Sequence, residues 1–212
     1  MRKLPVYLLL DTSGSMYGAP IEAVKSGVQT LVSSLRQDPY ALETAYLSVI
    51  TFDSRAQQLV PLSELVAFNP PNLQLGTTTA LGAALKLLAE RVDKEVTKTT
   101  AEVKGDWKPL VFIMTDGTPT DDWQAGLAEF QKRQFGVVIA CAAGSKADTT
   151  VLKQITDNVI ALDTADSASL QAFFKWVSSS ISTSSQKVES AGKEVSLLKE
   201  LPPPPPEISI VT

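Results

Sequence analysis

The sequence contains no histidine and a single cysteine, Cys141. The lack of imidazole excludes Ser-His-Asp and Cys-His catalysis, histidine general bases and histidine-ligated zinc within this chain. One cysteine cannot form an internal disulfide or a cysteine-based zinc site, and a lone thiol in an apolar strand is expected to be a packing residue in a reducing compartment, the cytoplasm. Any metal must therefore be held by oxygen, which favours magnesium, with manganese or calcium as alternatives.

The sequence also lacks a basic excess and a long hydrophobic run. Its formal net charge is −4, so it has no field that would attract a phosphate backbone, and we expect no nucleic-acid partner. The apolar run at residues 4–10 is too short to span a bilayer, and Asp11 ends it without a cleavage pattern, so we expect no signal peptide and no membrane anchor. With 212 residues, 44% of them hydrophobic, the chain is long enough for one well-packed domain.

Short apolar, β-branched runs alternate with longer segments of helical period, which predicts an α/β fold with a largely parallel sheet. The run at 57–62 contains Pro61 and is therefore predicted to be an antiparallel edge strand. Residues 53–55 are predicted to form the turn before it, and Asp121 and Asp122 to cap the helix that follows them. The predicted strands are 4–10, 44–52, 57–62, 110–114, 137–142 and 158–162, and the predicted helices are 20–35, 79–92, 122–133 and 170–181.

The composition changes near the end of the chain. From about Ser178 it is rich in Ser, Thr and Gln, then in Lys and Glu, and residues 202–206 are five consecutive prolines. This predicts a domain over 1–185 and a C-terminal tail over 186–212. A polyproline run adopts an extended helix without internal hydrogen bonds, so it serves either as a stiff spacer or as a ligand for an aromatic groove.

Two polar loops follow two of the buried strands. Asp11-Thr12-Ser13-Gly14-Ser15 follows the first strand, and Thr115-Asp116-Gly117 follows the strand at 110–114. Ligands of an open α/β sheet bind outside the carboxyl ends of its strands, where these loops meet, and Thr79 at a helix start adds a third hydroxyl. On its own the first loop also fits a self-bonded turn, whereas the pair of loops favours an oxygen-only metal site.

These residues resemble the metal-ion-dependent adhesion site (MIDAS) of von Willebrand factor A-type (vWA) domains. The family pattern is Asp-x-Ser-x-Ser, then a Thr, then an Asp after a later strand, and the matching residues are Asp11, Ser13, Ser15, Thr79 and Asp116. Thr77 and Thr78 stand where the family usually has glycine, and Thr79 aligns best as the ligand. The resemblance covers about residues 1–185 and implies a doubly wound, mostly parallel six-stranded sheet of order 3-2-1-4-5-6, with one antiparallel edge strand and helices on both faces.

The resemblance also implies a function. Ser13, Ser15 and Thr79 would bind Mg²⁺ directly, while Asp11 and Asp116 would act mostly through water. An open coordination position would then capture an Asp or Glu side chain of a partner protein, without catalysis. Among family members the chain is most similar to bacterial tellurite-resistance proteins of the TerY type, which implies a stress-response complex with kinase and phosphatase partners.

Two other functions fit part of the sequence. Asp11 also occupies the place of the aspartyl nucleophile in magnesium-dependent phosphohydrolases, but those enzymes carry a second Asp two residues later, where this chain has Ser13. Alternatively, the chain is a scaffold that acts through its proline-rich tail. No nucleotide-binding glycine motif follows a strand.

Overall fold

The computed structural model describes residues 2–212, which form one seven-stranded sheet flanked by helices. The strand order is β3-β2-β1-β4-β5-β6-β7, parallel at every pair except β2–β3 and β6–β7. The strands are β1 (Leu4–Asp11), β2 (Ala45–Phe52), β3 (Ala56–Glu64), β4 (Leu110–Thr115), β5 (Val138–Ala143), β6 (Val159–Leu162) and β7 (Ile208–Ile210). The helices are α1 (Ala19–Leu35), α2 (Pro39–Thr44), α3 (Leu81–Glu95), α4 (Trp123–Phe130), α5 (Thr149–Ile155) and α6 (Ser167–Ala191).

The central strand β1 is buried on both faces, and its side chains divide the core in two. Alternate residues such as Leu8 and Leu10 pack with apolar residues of α1, α2 and α6 on one face. Tyr7 and Leu9 pack on the other face with residues of α3, α4 and α5. The sequence of a strand that is covered on both faces is apolar throughout, because the side chains on each face pack against a layer of helices. The predicted doubly wound, mostly parallel fold is therefore confirmed.

Helices α1 and α6 pack closely because one contact has no Cβ. A Cβ added at Gly27 of α1 would lie 2.1 Å from the ring of Phe174 in α6. Small side chains continue this fit along α6, where Ser180, Ser184 and Ser185 are buried. The polar composition after Ser178 therefore belongs to the helix and not to a tail.

Three short elements, α2, α5 and β7, were not predicted from the sequence. Helices α2 and α5 have only six and seven residues, so they are too short for an apolar period to stand out. The prediction of six strands was wrong by one: β7 has three residues and pairs antiparallel with β6, so that both edges of the sheet are antiparallel. The predicted division at residue 185 falls inside α6, which ends at Ala191 before Gly192 in a left-handed conformation.

The segment after α6 lies against the domain. Trp176 Nε1 donates to the carbonyl oxygen of Pro202 at 2.9 Å, and Lys187 Nζ donates to the carbonyl oxygen of Glu200 at 3.1 Å. Leu201 and Ile208 are buried in the same core as α1 and α6. The prolines therefore lead from α6 to the strand that completes the sheet. None of the helices formed by residues 2–212 has the length and hydropathy needed to cross a membrane.

We expect Leu201→Ala to destabilise the domain by about 2 to 4 kcal/mol, because it removes a side chain that is 7% exposed and leaves a cavity. Leu197→Ala, at a side chain that is 51% exposed, is the matched control and should cost less than about 0.5 kcal/mol. Urea unfolding of both variants measures the difference. Equal and small losses would contradict the packing of this segment on the domain.

Candidate metal site

Two neighbouring strands bring the predicted loops together. Leu10 and Met114 pair side by side in β1 and β4, so the two loops leave the same edge of the sheet. The Asp11 carboxylate joins them: one oxygen accepts from the Ser13 amide at 2.8 Å and the other from Thr115 Oγ1 at 2.6 Å. Thr115 Oγ1 in turn accepts from the Gly117 amide at 3.3 Å. Asp11 is thus the fixed point of both loops.

Three side-chain oxygens lie in a row beside this link. Ser13 Oγ and Ser15 Oγ are 3.0 Å apart, and Ser15 Oγ donates to Asp116 Oδ1 at 2.7 Å. Adjacent ligands of an octahedral magnesium ion, each about 2.0 to 2.1 Å from the metal, are about 2.9 Å apart. The hydroxyl and carboxylate oxygens of these three residues therefore have the spacing and the chemistry that such an ion needs.

Thr79 reaches the same place from a third loop. Its amide donates to Thr120 Oγ1 at 3.0 Å, and the Thr120 amide donates back to the Thr79 carbonyl at 2.9 Å. A Cβ built on Gly117 would lie 3.5 Å from Thr79 Oγ1, so this hydroxyl is next to the loop that carries Asp116. Thr79 is buried, whereas Thr77 and Thr78 are exposed. The structure thus brings all five predicted ligands to one edge, and their role as ligands stays a prediction.

The site carries negative charge without a cation to balance it. Neither Asp11 nor Asp116 forms a salt bridge within residues 2–212. Burial raises the pKa of Asp11, hydrogen bonds from Ser13 and Thr115 oppose that shift, and the nearby charge of Asp116 adds to it. Within residues 2–212 no group of three or more Asp, Glu, Cys or His side chains is arranged to hold a metal ion, so a metal here would depend on hydroxyl oxygens as well as on carboxylates.

Asp121 and Asp122 were both predicted to cap the helix that follows them, and only one of them does. Asp122 caps α4, as expected, because its carboxylate accepts from the Ala125 amide at 3.1 Å. The prediction for Asp121 was wrong: its two oxygens accept from the Gly82 and Ala83 amides at the start of α3. Asp121 therefore ties the loop after β4 to the helix that follows Thr79.

Sequence reasoning missed two residues that hold the ligands, Thr115 and Thr120. The sequence does not distinguish them from other loop threonines, because the partner of a threonine hydroxyl is known only once the fold brings two distant loops together. Cys141 was expected to be a packing thiol, and it lies in the core, where burial raises its pKa. It takes no part in the site.

We expect Asp11→Asn, in chelator at pH 7, to unfold at a higher temperature than the wild type. The raised pKa means that the native state binds a proton more readily than the unfolded chain, so wild-type stability falls as pH rises from the ordinary value of 3.8 through the raised one. Asparagine removes the charge and keeps the acceptor for the Ser13 amide, while its Nδ2 group donates to Thr115 Oγ1 and so reverses the direction of that hydrogen bond. The gap should narrow as pH falls through that window.

Asp166→Asn is the matched control for this pH series. Its carboxylate caps α6, and the Ser169 amide holds its pKa below the ordinary value, so its replacement should lower stability at pH 7. Thermal unfolding in chelator between pH 3.5 and pH 8 checks both signs. An Asp11→Asn protein less stable than the wild type at pH 7 would contradict the electrostatic account.

Comparison with known proteins agrees with this fold. The family model for the von Willebrand factor type A domain matches residues 6–176. An uncharacterized protein of Synechocystis sp. is 33% identical over 123 residues, which are 55% of this chain and 26% of that protein. The chain thus matches about a quarter of that relative's length.

Solved structures resemble it at the level of the fold. Proximal thread matrix protein 1 from the mussel byssus, with a zinc-occupied MIDAS motif, is 21% identical with a TM-score of 0.61 over 84% of this chain and 48% of that one. A von Willebrand factor type A protein from Catenulispora acidiphila is 16% identical with a TM-score of 0.66 over 86% of this chain and 43% of that one. BatB from Bacteroides thetaiotaomicron is 17% identical with a TM-score of 0.54, and the match covers 82% of this chain and 97% of that one.

Domains of the matched family commonly bind other proteins, and many do so through a divalent metal at the MIDAS. The match to this family begins in β1 and runs through β6 into α6, and so includes both loops of the candidate site. The chain therefore belongs to the von Willebrand factor type A domain family.

Proposed function

We propose that this protein is a metal-dependent binding module that captures an acidic side chain of a partner protein. The observation that carries the proposal is the row of oxygens formed by Ser13, Ser15 and Asp116, at 3.0 and 2.7 Å, beside the buried carboxylate of Asp11. Ser15 is exposed while the residues beneath it are buried, so the row opens to solvent on one side. A partner side chain has access from that side.

The donor set fits a divalent ion of the magnesium class. Ser13, Ser15 and Thr79 would supply neutral hydroxyl oxygens, and Asp11 and Asp116 would supply the negative charge. A bound metal would offer a Lewis-acidic position to a carboxylate of the partner. The zinc-occupied MIDAS of the mussel protein supports a divalent ion at this place, and the oxygen-only donors of this chain favour magnesium or manganese over zinc.

We propose further that the site is not catalytic. Both carboxylate oxygens of Asp11 already accept hydrogen bonds, from the Ser13 amide and from Thr115 Oγ1, and the residue is fully buried. A nucleophilic aspartate needs a free oxygen that substrate can reach. The geometry therefore favours a binding role over the phosphohydrolase alternative, which predicts measurable hydrolysis of p-nitrophenyl phosphate in Mg²⁺.

The finer assignment rests on the resemblance to tellurite-resistance proteins. On that resemblance we propose that the module acts in the bacterial cytoplasm, in a complex with a kinase and a phosphatase; the single buried cysteine suits such a reducing compartment. The proline-rich segment is a weaker candidate for the partner surface, because Pro202 and its neighbours lie against Trp176.

We expect saturating Mg²⁺ or Mn²⁺ to raise the unfolding midpoint of the wild type by about 5 to 10 °C relative to chelator, since a ligand at 100 times its Kd stabilises by about 2.7 kcal/mol. Asp11→Asn and Ser15→Ala should lose this shift. Asp148→Ala is the matched control: it removes the cap of α5, so it should lower the midpoint and keep the full shift. No shift in the wild type with either metal would refute the proposed site.

Capture of the partner tests the second half of the proposal. Immobilised protein incubated with host lysate in Mg²⁺ should retain a protein that chelator releases and that Ser15→Ala does not retain. A phosphohydrolase would instead hydrolyse p-nitrophenyl phosphate in the presence of Mg²⁺. Retention that is indifferent to chelator and to Ser15→Ala would point to another surface, and identification of a kinase or phosphatase in the eluate tests the finer assignment.

A further inference from the structure

The loop that carries Thr79 has no regular structure of its own. It runs between β3 and α3, and residues 69–80 form neither helix nor strand. The position of the Thr79 hydroxyl therefore depends on what holds this loop from outside. Thr120 and Asp121 hold its C-terminal end, through the Thr79 amide and the first amides of α3.

The other side of the loop is held by Asp53, in the turn between β2 and β3. The Asp53 carbonyl accepts from the Ala80 amide at 2.7 Å, directly after Thr79. Its carboxylate accepts from Ser54 Oγ at 3.0 Å and from the Arg55 amide at 3.2 Å, which fix the side chain, and Thr12 Oγ1 lies 3.4 Å from its second oxygen. One residue thus connects the loop after β1, the turn after β2 and the Thr79 loop.

Gly76 packs directly against this carboxylate. A Cβ added at Gly76 would lie 2.3 Å from Asp53 Cγ and 2.4 Å from Asp53 Cβ, and no such approach is sterically allowed. The Gly76 amide donates to the Thr12 carbonyl at 2.8 Å, two residues before Gly14. The loop is therefore pressed between Thr12 and Asp53 at Gly76, and tied to Asp53 again at Ala80.

We propose that Asp53 is a positioning residue of the candidate metal site: its side chain, packed on Gly76, and its carbonyl, bonded to Ala80, hold Thr79 beside Ser13, Ser15 and Asp116. This inference rests on the proposed function for its metal, but its geometric part does not. Asp53 acts through the loop and not as a ligand. Its role needs the shape and the acceptor oxygens of the side chain rather than its charge.

The first test uses Asp53→Ala and Asp53→Asn without metal. Alanine keeps Cβ but removes the Asp53 carboxylate that packs on Gly76 and bonds to Ser54 and Arg55, so the amides of Gly76, Thr79 and Ala80 should exchange with deuterium about tenfold faster than in the wild type. Asparagine keeps the volume and an acceptor oxygen, so exchange should stay close to the wild-type rate.

The second measurement is Mn²⁺ affinity by calorimetry on the same proteins. Loss of a partner that orients metal ligands typically costs about 10- to 100-fold in affinity, so Asp53→Ala should fall in that range while Asp53→Asn should bind like the wild type. Asp38→Ala is the matched control, because the carboxylate of this partly buried aspartate also holds local backbone, accepting from the Tyr40 and Ala41 amides at the start of α2, far from the Thr79 loop. It should lower stability without changing exchange at 76–80 or Mn²⁺ affinity.

A double-mutant cycle isolates the contact itself. Gly76→Ala should speed exchange and weaken Mn²⁺ binding, because the new methyl group has no room beside Asp53. In an Asp53→Gly background the room exists, so adding Gly76→Ala should have little further effect. Independent, additive effects of the two substitutions would show that the contact does not position the loop.

Each outcome has one meaning. Unchanged exchange at 76–80 in Asp53→Ala overturns the positioning role, whatever the metal does. If Asp53→Asn weakens Mn²⁺ binding as much as Asp53→Ala, the charge and not the position matters, and the proposal fails. If the wild type binds no Mn²⁺, the proposed function fails, and the exchange data still decide whether Asp53 holds the loop.

Discussion

The hydrogen bond from Thr115 to the buried carboxylate of Asp11 is the contact on which the rest of the site depends. It joins the ends of the two central strands, whose loops then have to leave the sheet side by side. Because Asp11 also accepts from the Ser13 amide, the first loop turns back over this link and brings two serine hydroxyls to its surface. The fold brings the two loops to the same edge of the sheet, and the Asp11 carboxylate holds them in the arrangement of the candidate site.

The same arrangement carries an electrostatic cost. Two carboxylates, Asp11 and Asp116, lie at the same edge of the sheet, neither forms a salt bridge within residues 2–212, and Asp11 is fully buried. Such a group is usually neutralised by a proton, a cationic side chain or a metal ion. Since no basic side chain of the described residues pairs with Asp11 or Asp116, a proton or a metal ion is left to neutralise the charge. A binding module gains from this, since the unfavourable charge in the free protein adds to the affinity for the ion.

Much of the fold could be read from the sequence because its parallel strands are buried on both faces. Runs such as the one before Asp11 are apolar throughout, and the helices between them are long enough to show a period. The elements that the sequence did not predict are either short or depend on contacts between residues that are far apart in the chain. Strand β7 has three residues after a proline run, and α6 continues through serines that are buried in the fold although their composition is polar.

The candidate site shows the same division. The motif residues Asp11, Ser13, Ser15 and Asp116 could be found because they are close in sequence to buried strands. The residues that hold them could not, because Thr115, Thr120 and Asp121 bond to groups that are at least 38 residues away in the chain. Turn and cap preferences describe neighbouring residues only, whereas Asp121 accepts hydrogen bonds from the start of α3, which lies far from it in the sequence.

The late position of β7 has a consequence for how the protein is made. Strand β6 ends at Leu162, and its partner begins only at Ile208, after α6 and the proline run. During synthesis one edge of β6 therefore stays unpaired until α6 and the proline run have been added to the chain. An exposed edge strand is a template for pairing with another chain. The nascent domain is most exposed to such errors in that interval, after the loops of the candidate metal site have emerged and before the sheet is complete.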